Sequence, residues 1–169
     1  MADAEMRSKT PGESRVELVD QMQVTDANLM GNVHGGVIMK MVDNAAGLAA
    51  IKHSEGPVVT AAMDEMSFLE PVYVGDVVTV KATVNEAFTS SMEVGVRVEA
   101  ENLQTRNVKH TSSAYLVFVA LDADGEPRPV PPLEPQTDEE RQRQREARLR
   151  REARLARKEA IEKARETSA

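Results

Sequence analysis

Four stretches, residues 58–68, 77–88, 92–103 and 108–121, constrain this chain most, because each reads as a strand and only short connections separate them. Val78, Val80, Ala82 and Val84 alternate with polar neighbours in the second, as Met92, Val94, Val96 and Val98 do in the third. The fourth is nearly all apolar from Ala114 to Ala120. Leu69-Glu70-Pro71 makes a bend, and Val74-Gly75-Asp76, Thr89-Ser90-Ser91 and Thr105-Arg106-Asn107 make turns. Strands this long on connections this short pair as antiparallel neighbours in one long, curved sheet. Arg15 to Val24 adds a strand, its Val16, Leu18, Met22 and Val24 following a period of two that Asp20 interrupts.

Between that first strand and the other four lies a helix, from about His34 to His53. Ile38, Met41, Val42, Ala45 and Ala49 form its apolar stripe, and Gly36, Lys40, Asp43 and Gly47 form a second line. One strand, one long helix and four strands give an α+β fold with the helix embraced against one face of the sheet. Asp26, Asn28, Gly31 and Asn32 supply turn chemistry before the helix, which opens on Asn32-Val33-His34-Gly35-Gly36. A glycine-lined helix start presents unpaired N–H groups and positive potential, suited to an oxyanion or phosphate. Asp43 is the only acidic residue between Asp26 and Glu55. A lone carboxylate beside an apolar stripe implies a task.

Residues 1–12, with Pro11-Gly12, read as disordered, residues 13–136 as a single domain and residues 137–169 as a charged helical tail. The domain leaves through the proline-rich run 127–135, and Thr137 with Glu140 forms a capping box for a helix from Asp138 to about Arg165. This helix has no heptad seam and reads as solvated or partly docked. Residues 138–169 hold 11 Lys and Arg against 8 Asp and Glu, whereas the remainder holds 10 against 20. So acidic a body lacks the basic face that nucleic acid requires. The absence of cysteine excludes disulfides, thiolate metal ligands and a Cys nucleophile, and the three histidines are too scattered to suggest a metal. No apolar run is long enough for a membrane span or a leader, so a cytoplasmic protein without membrane contact is expected.

Asp26-Ala27-Asn28-Leu29-Met30-Gly31-Asn32-Val33-His34-Gly35-Gly36, the helix to Asp43, Ser67-Phe68-Leu69-Glu70-Pro71-Val72-Tyr73-Val74-Gly75-Asp76 and Thr89-Ser90-Ser91-Met92-Glu93 together resemble the hotdog-fold acyl-CoA thioester hydrolases. The likeness extends over residues 13–145, including Val130-Pro131-Pro132-Leu133. It implies a long helix wrapped by a five- or six-stranded antiparallel sheet. It also implies pairing of edge strands into a dimer, assembly of such dimers into a hexamer, and hydrolysis of medium- to long-chain acyl-CoA to fatty acid and CoA. No cofactor is required, since CoA is part of the substrate. In tandem-domain relatives one domain supplies the asparagine and the other the helix aspartate; this chain has both Asn32 and Asp43.

Thioester hydrolysis needs a base or nucleophile on one side of the carbonyl and an oxyanion stabiliser on the other. Asp43 is the candidate base or nucleophile, the N–H of Gly36 or Gly35 the oxyanion donor, and Asn32 the amide that positions water or carbonyl. Asn32 and Asp43 are separated by roughly 15 Å of helix at about 1.5 Å per residue, so one site requires two chains related by a twofold axis. His34 is a lesser candidate base, and His53 and His110 read as structural or surface residues. The resemblance places the coenzyme along Val59, Thr60 and Thr89-Ser90-Ser91; Arg97, Arg106 and Lys109 are the nearest basic candidates for its phosphates, unranked among themselves. The rival functions are a non-catalytic acyl-CoA-binding domain and a hotdog dehydratase, whose His-acid pair or hydratase motif is missing here.

Overall fold

The computed structural model describes residues 6–167. In chain order it contains α1 (Pro11–Ser14), β1 (Val16–Gln21), a 3-10 turn (Val24–Asp26), α2 (Gly35–Ser54), β2 (Val58–Phe68), β3 (Val77–Ala87), β4 (Ser91–Glu101), β5 (Val108–Ala120) and α3 (Asp138–Thr167). The five strands form one antiparallel sheet in the order β1-β3-β4-β5-β2. The long hairpins fix this topology, and the crossover through α2 sends β2 to the edge opposite β1.

Helix α2 lies across one face of the sheet. Its Ile38, Val42, Ala45, Ala46, Ala49 and Ala50 are buried against Val80, Ala82, Val94, Leu116 and their neighbours. The alanines let helix and sheet approach closely. Cations and carbonyls meet at the helix C-terminus, where Lys9 Nζ donates to Lys52 O at 2.9 Å and Arg128 Nη2 donates to Ser54 O at 2.7 Å. Both answer the orphan carbonyls and the negative end of the dipole.

Two expectations change, and for the tail the partly docked alternative holds. The first strand stops at Gln21 rather than Val24, because Met22 turns inward to exchange backbone hydrogen bonds with Gly75 and Asp76, and the Asp26 carboxylate caps the turn through Gln23 N–H. Within residues 1–12, residues 1–5 lie outside the described residues, while Lys9 to Gly12 are ordered. Lys9 is buried, bonds Pro132 through its backbone and pairs with Glu55. The charged tail begins at the Thr137–Glu140 capping box and is docked over its first half. Ala147 is fully buried, and Arg148 and Arg150 pair with Glu86 and Glu93 on the sheet face turned away from α2. Arg150 also lies 3.6 Å over the Tyr115 ring.

Strand β2 departs from simple alternation. Its pairing with β5 slips between Thr60 and Ala62 and again between Met63 and Glu65, so Ala61 and Asp64 are bulge residues. Residues opposite the inward-facing Ala120, Phe118, Leu116 and Ala114 are therefore Val58, Thr60, Met63 and Met66. A period of two through 58–68 would instead have turned Ala62 and Asp64 toward the helix.

Candidate active site

Helix α2 and strand β2 run side by side along the open edge of the sheet, and the seam between them carries a pocket at each end. The first pocket, about 300 Å³, lies at the start of α2 and the end of β2, where Asn28, Asn32, Gly35, Ile38 and Phe68 line it. The second, a groove of about 470 Å³, lies further along the same seam between Asp43, Gly47, Leu48, Val58, Thr60 and Phe118.

Asp43 sits exposed on the seam beside buried Val42, on the Gly36–Lys40–Asp43–Gly47 line. The Thr60 hydroxyl donates to its Oδ1 at 2.9 Å. Thr60 can do so because the position before the first bulge turns it to the helix side of the sheet. Sequence reasoning placed Thr60 on the coenzyme path; the structure joins it to the carboxylate.

At the helix mouth His34 is the N-cap, and its Nδ1 accepts the Gly36 N–H at 2.9 Å. The Gly36 amide is thus occupied by a side chain, whereas the Gly35 N–H has no hydrogen-bond partner among the described residues. Asn32 contributes its backbone to the turn, accepting from Asn28 N–H at 2.7 Å. Asn28, visible in the sequence only as a turn residue, reaches the same pocket while its Oδ1 accepts from the amides of Met30 and Asn32. The two pockets remain separate within one chain.

The register gathers the candidate coenzyme residues at one end of the sheet: Val59 and Ser91 pair with opposite sides of Val119, and Ser90 O accepts the Ala120 N–H. The expected cations are elsewhere. Arg97 is bonded to Glu99, Lys109 pairs with Glu70, and Arg106 with Glu101 stands at the far hairpin. Arg151 of α3 lies 4.5 Å over Phe88, the residue before the Thr89–Ser91 turn. Its origin in a tail helix hid it from sequence reasoning.

His53 is fully buried with Nε2 on Pro131 O at 2.8 Å, and burial holds its imidazole below the usual range. His110 bonds Ser113 and Arg97. Among the described residues no cluster of His, Asp or Glu could hold a metal, and no helix is long and apolar enough to cross a membrane. A further cavity, about 540 Å³, opens on the other sheet face near Arg15, Lys81, Arg97 and Arg143. Three of those cations are already matched by Glu99 and Glu139, and the cavity contains no arrangement for thioester chemistry.

Comparison with known proteins bears on this seam. The model of the thioesterase superfamily matches residues 30–106. An uncharacterised acyl-CoA thioester hydrolase of Bacillus subtilis is 38% identical over 128 residues, 76% of this chain and 74% of that protein. The mouse cytosolic acyl coenzyme A thioester hydrolase is 35% identical over 132 residues, 77% of this chain, which spans only 35% of its length. Among solved structures, the Staphylococcus aureus acyl-CoA hydrolase in complex with butyryl coenzyme A superimposes with a TM-score of 0.86 at 34% identity, covering 95% of this chain and 98% of that one. An apo-hexameric acyl-CoA thioesterase gives a TM-score of 0.87 at 36% identity, with coverage of 90% and 97%. With the hotdog architecture in place, this chain belongs to the acyl-CoA hydrolases of the thioesterase superfamily.

Proposed function

We propose that the protein hydrolyses medium- to long-chain acyl-CoA to free fatty acid and CoA at a site shared by two chains, with Asp43 as base or nucleophile. The observation that carries this reading is the Asp43–Thr60 pair in the seam groove. Thr60 fixes Oδ1 at 2.9 Å and leaves Oδ2 free to activate water or to attack the carbonyl carbon. Water adds across the C–S bond, the acyl group leaves as the carboxylic acid, and the thiolate takes up the proton. Leu18, Leu48, Ile51, Val58 and Phe118 give the groove apolar walls suited to an acyl chain.

A twofold axis across the seam brings the helix mouth of one chain to the Asp43 groove of the other. The exposed Met39, Leu48, Ile51, Val59 and Phe68 along it are the apolar surface such pairing would cover. Gly35 N–H then holds the developing oxyanion, with Gly36 joining when His34 releases it, and Asn28 and Asn32 orient water or carbonyl. Thr89, Ser90, Ser91 and the Val59-Thr60 backbone hold the coenzyme, with Arg151 for its phosphates. No cofactor beyond substrate CoA enters this scheme. The hexameric relative supports a trimer of dimers, and the mouse cytosolic relative a cytoplasmic location. Thiol release measured from acetyl- to stearoyl-CoA tests the reading: turnover rising with chain length is expected. Binding of acyl-CoA without release would make this a non-catalytic binding domain.

A further inference from the structure

Strand β2 carries Thr60 and is one of the two edge strands of the sheet. It pairs on one side only, with β5, and the bulges at Ala61 and Asp64 lie within four residues after Thr60. A one-residue slip in such a strand turns its side chains to the opposite face. That would carry the Thr60 hydroxyl away from Asp43. The second bulge residue is itself tied to another element: the Asp64 carboxylate, its side chain only 8% exposed, is paired with Arg154 of α3.

Arg154 is itself held. Ala147, Arg150 and Arg154 recur at three- and four-residue spacing, so they share one helical face. Ala147 is buried on the sheet, and Arg150 donates to both oxygens of buried Glu93, at 3.0 and 2.7 Å. Arg148 pairs with Glu86. Glu86 and Glu93 belong to the neighbouring strands β3 and β4, the middle of the sheet. Every described side chain after Arg154 is exposed, so this arginine is the last docked group of α3, at the edge where β2 lies. Helix α3 thus reaches from the middle strands of the sheet to the bulge of edge strand β2.

We infer that Arg154 and Asp64 are positioning residues for the hydrolysis: their ion pair fixes the β2 bulge and through it holds Thr60 on Asp43. The inference rests on Asp43 and Thr60 acting as proposed above. Its test is a kinetic cycle on the full-length protein, with Arg154→Ala, Asp64→Asn, Thr60→Ala, Arg154→Ala combined with Thr60→Ala, and Asp43→Ala. Arg154→Ala and the near-isosteric Asp64→Asn should each lower kcat about 10-fold, with KM little changed. In the Thr60→Ala background the same Arg154 change should cost nothing further, because its effect passes through Thr60. Arg154→Lys should recover part of the loss.

Wild-type kcat in both Arg154→Ala and Asp64→Asn would overturn the inference, as would losses that simply multiply with that of Thr60→Ala. Those results leave the Asp43 chemistry standing. Full turnover in Asp43→Ala is a different outcome, which would remove the catalytic reading and this inference together.

Discussion

Thr60 Oγ1 donates a hydrogen bond to Asp43 Oδ1 at 2.9 Å, joining the edge strand to the central helix at the one carboxylate in the seam groove. This contact makes the hydroxyl, not merely the backbone, of Thr60 part of the site. Thr60→Val, which keeps shape and removes the donor, should lower kcat by about 10-fold, and Thr60→Ser should retain most of it. Steady-state kinetics on both variants checks this, and equal rates in the two would deny the hydroxyl a role.

A site split between chains can be reassembled from two defective ones. Asp43→Ala chains and chains lacking both Asn28 and Asn32 should each be nearly inactive. Random pairing of co-expressed chains gives mixed dimers half the time, each with one intact site of two, so about a quarter of wild-type activity should return. No recovery on mixing would contradict a shared site.

His34 is a cap in this structure, since its Nδ1 accepts the Gly36 amide. His34→Ala should therefore lower unfolding free energy by about 1 kcal/mol, and His34→Asn, a good cap, should restore it. Denaturant titration reads the first effect. Turnover surviving in the alanine variant separates the cap from a base.

His53 couples stability to pH. Burial lowers its proton affinity more than the Pro131 bond restores it; Lys9 adds to the lowering, while Glu13 and Glu55 oppose it. The unfolded imidazole takes up a proton near its ordinary value of about 6.5, whereas the folded one resists until lower pH, so protons favour the unfolded state. Stability from this group is complete above about pH 6.5 and declines as pH falls toward the depressed folded value. Thermal melts below that point should show a shallower decline for His53→Gln than for wild type; identical slopes would exclude His53 as the source.

Much of this fold could be read from residues alone, and the exceptions share a cause. The 58–68 strand has the expected limits, but periodicity could not show that Asp64 leaves the helix side, because the bulges arise from pairing with β5. The face by which α3 docks was equally hidden. Its contact face presents Arg150 and Arg154 to carboxylates inside the sheet face, so no apolar stripe marks it. Asp43 stood out as an isolated acid, while Thr60 and Arg151 reach their places only through tertiary contacts. Gly36 shows the converse: the glycine pair is legible, but the His34 bond that occupies its amide is a matter of side-chain geometry.

The most direct test replaces one carboxylate oxygen. Wild type and Asp43→Asn should be compared for CoA release from a long-chain acyl-CoA and, by calorimetry, for binding of CoA. Expected is a loss of turnover of at least about 100-fold with CoA affinity nearly unchanged. An asparagine variant that hydrolyses acyl-CoA at the wild-type rate would contradict the assignment of Asp43 as the base or nucleophile.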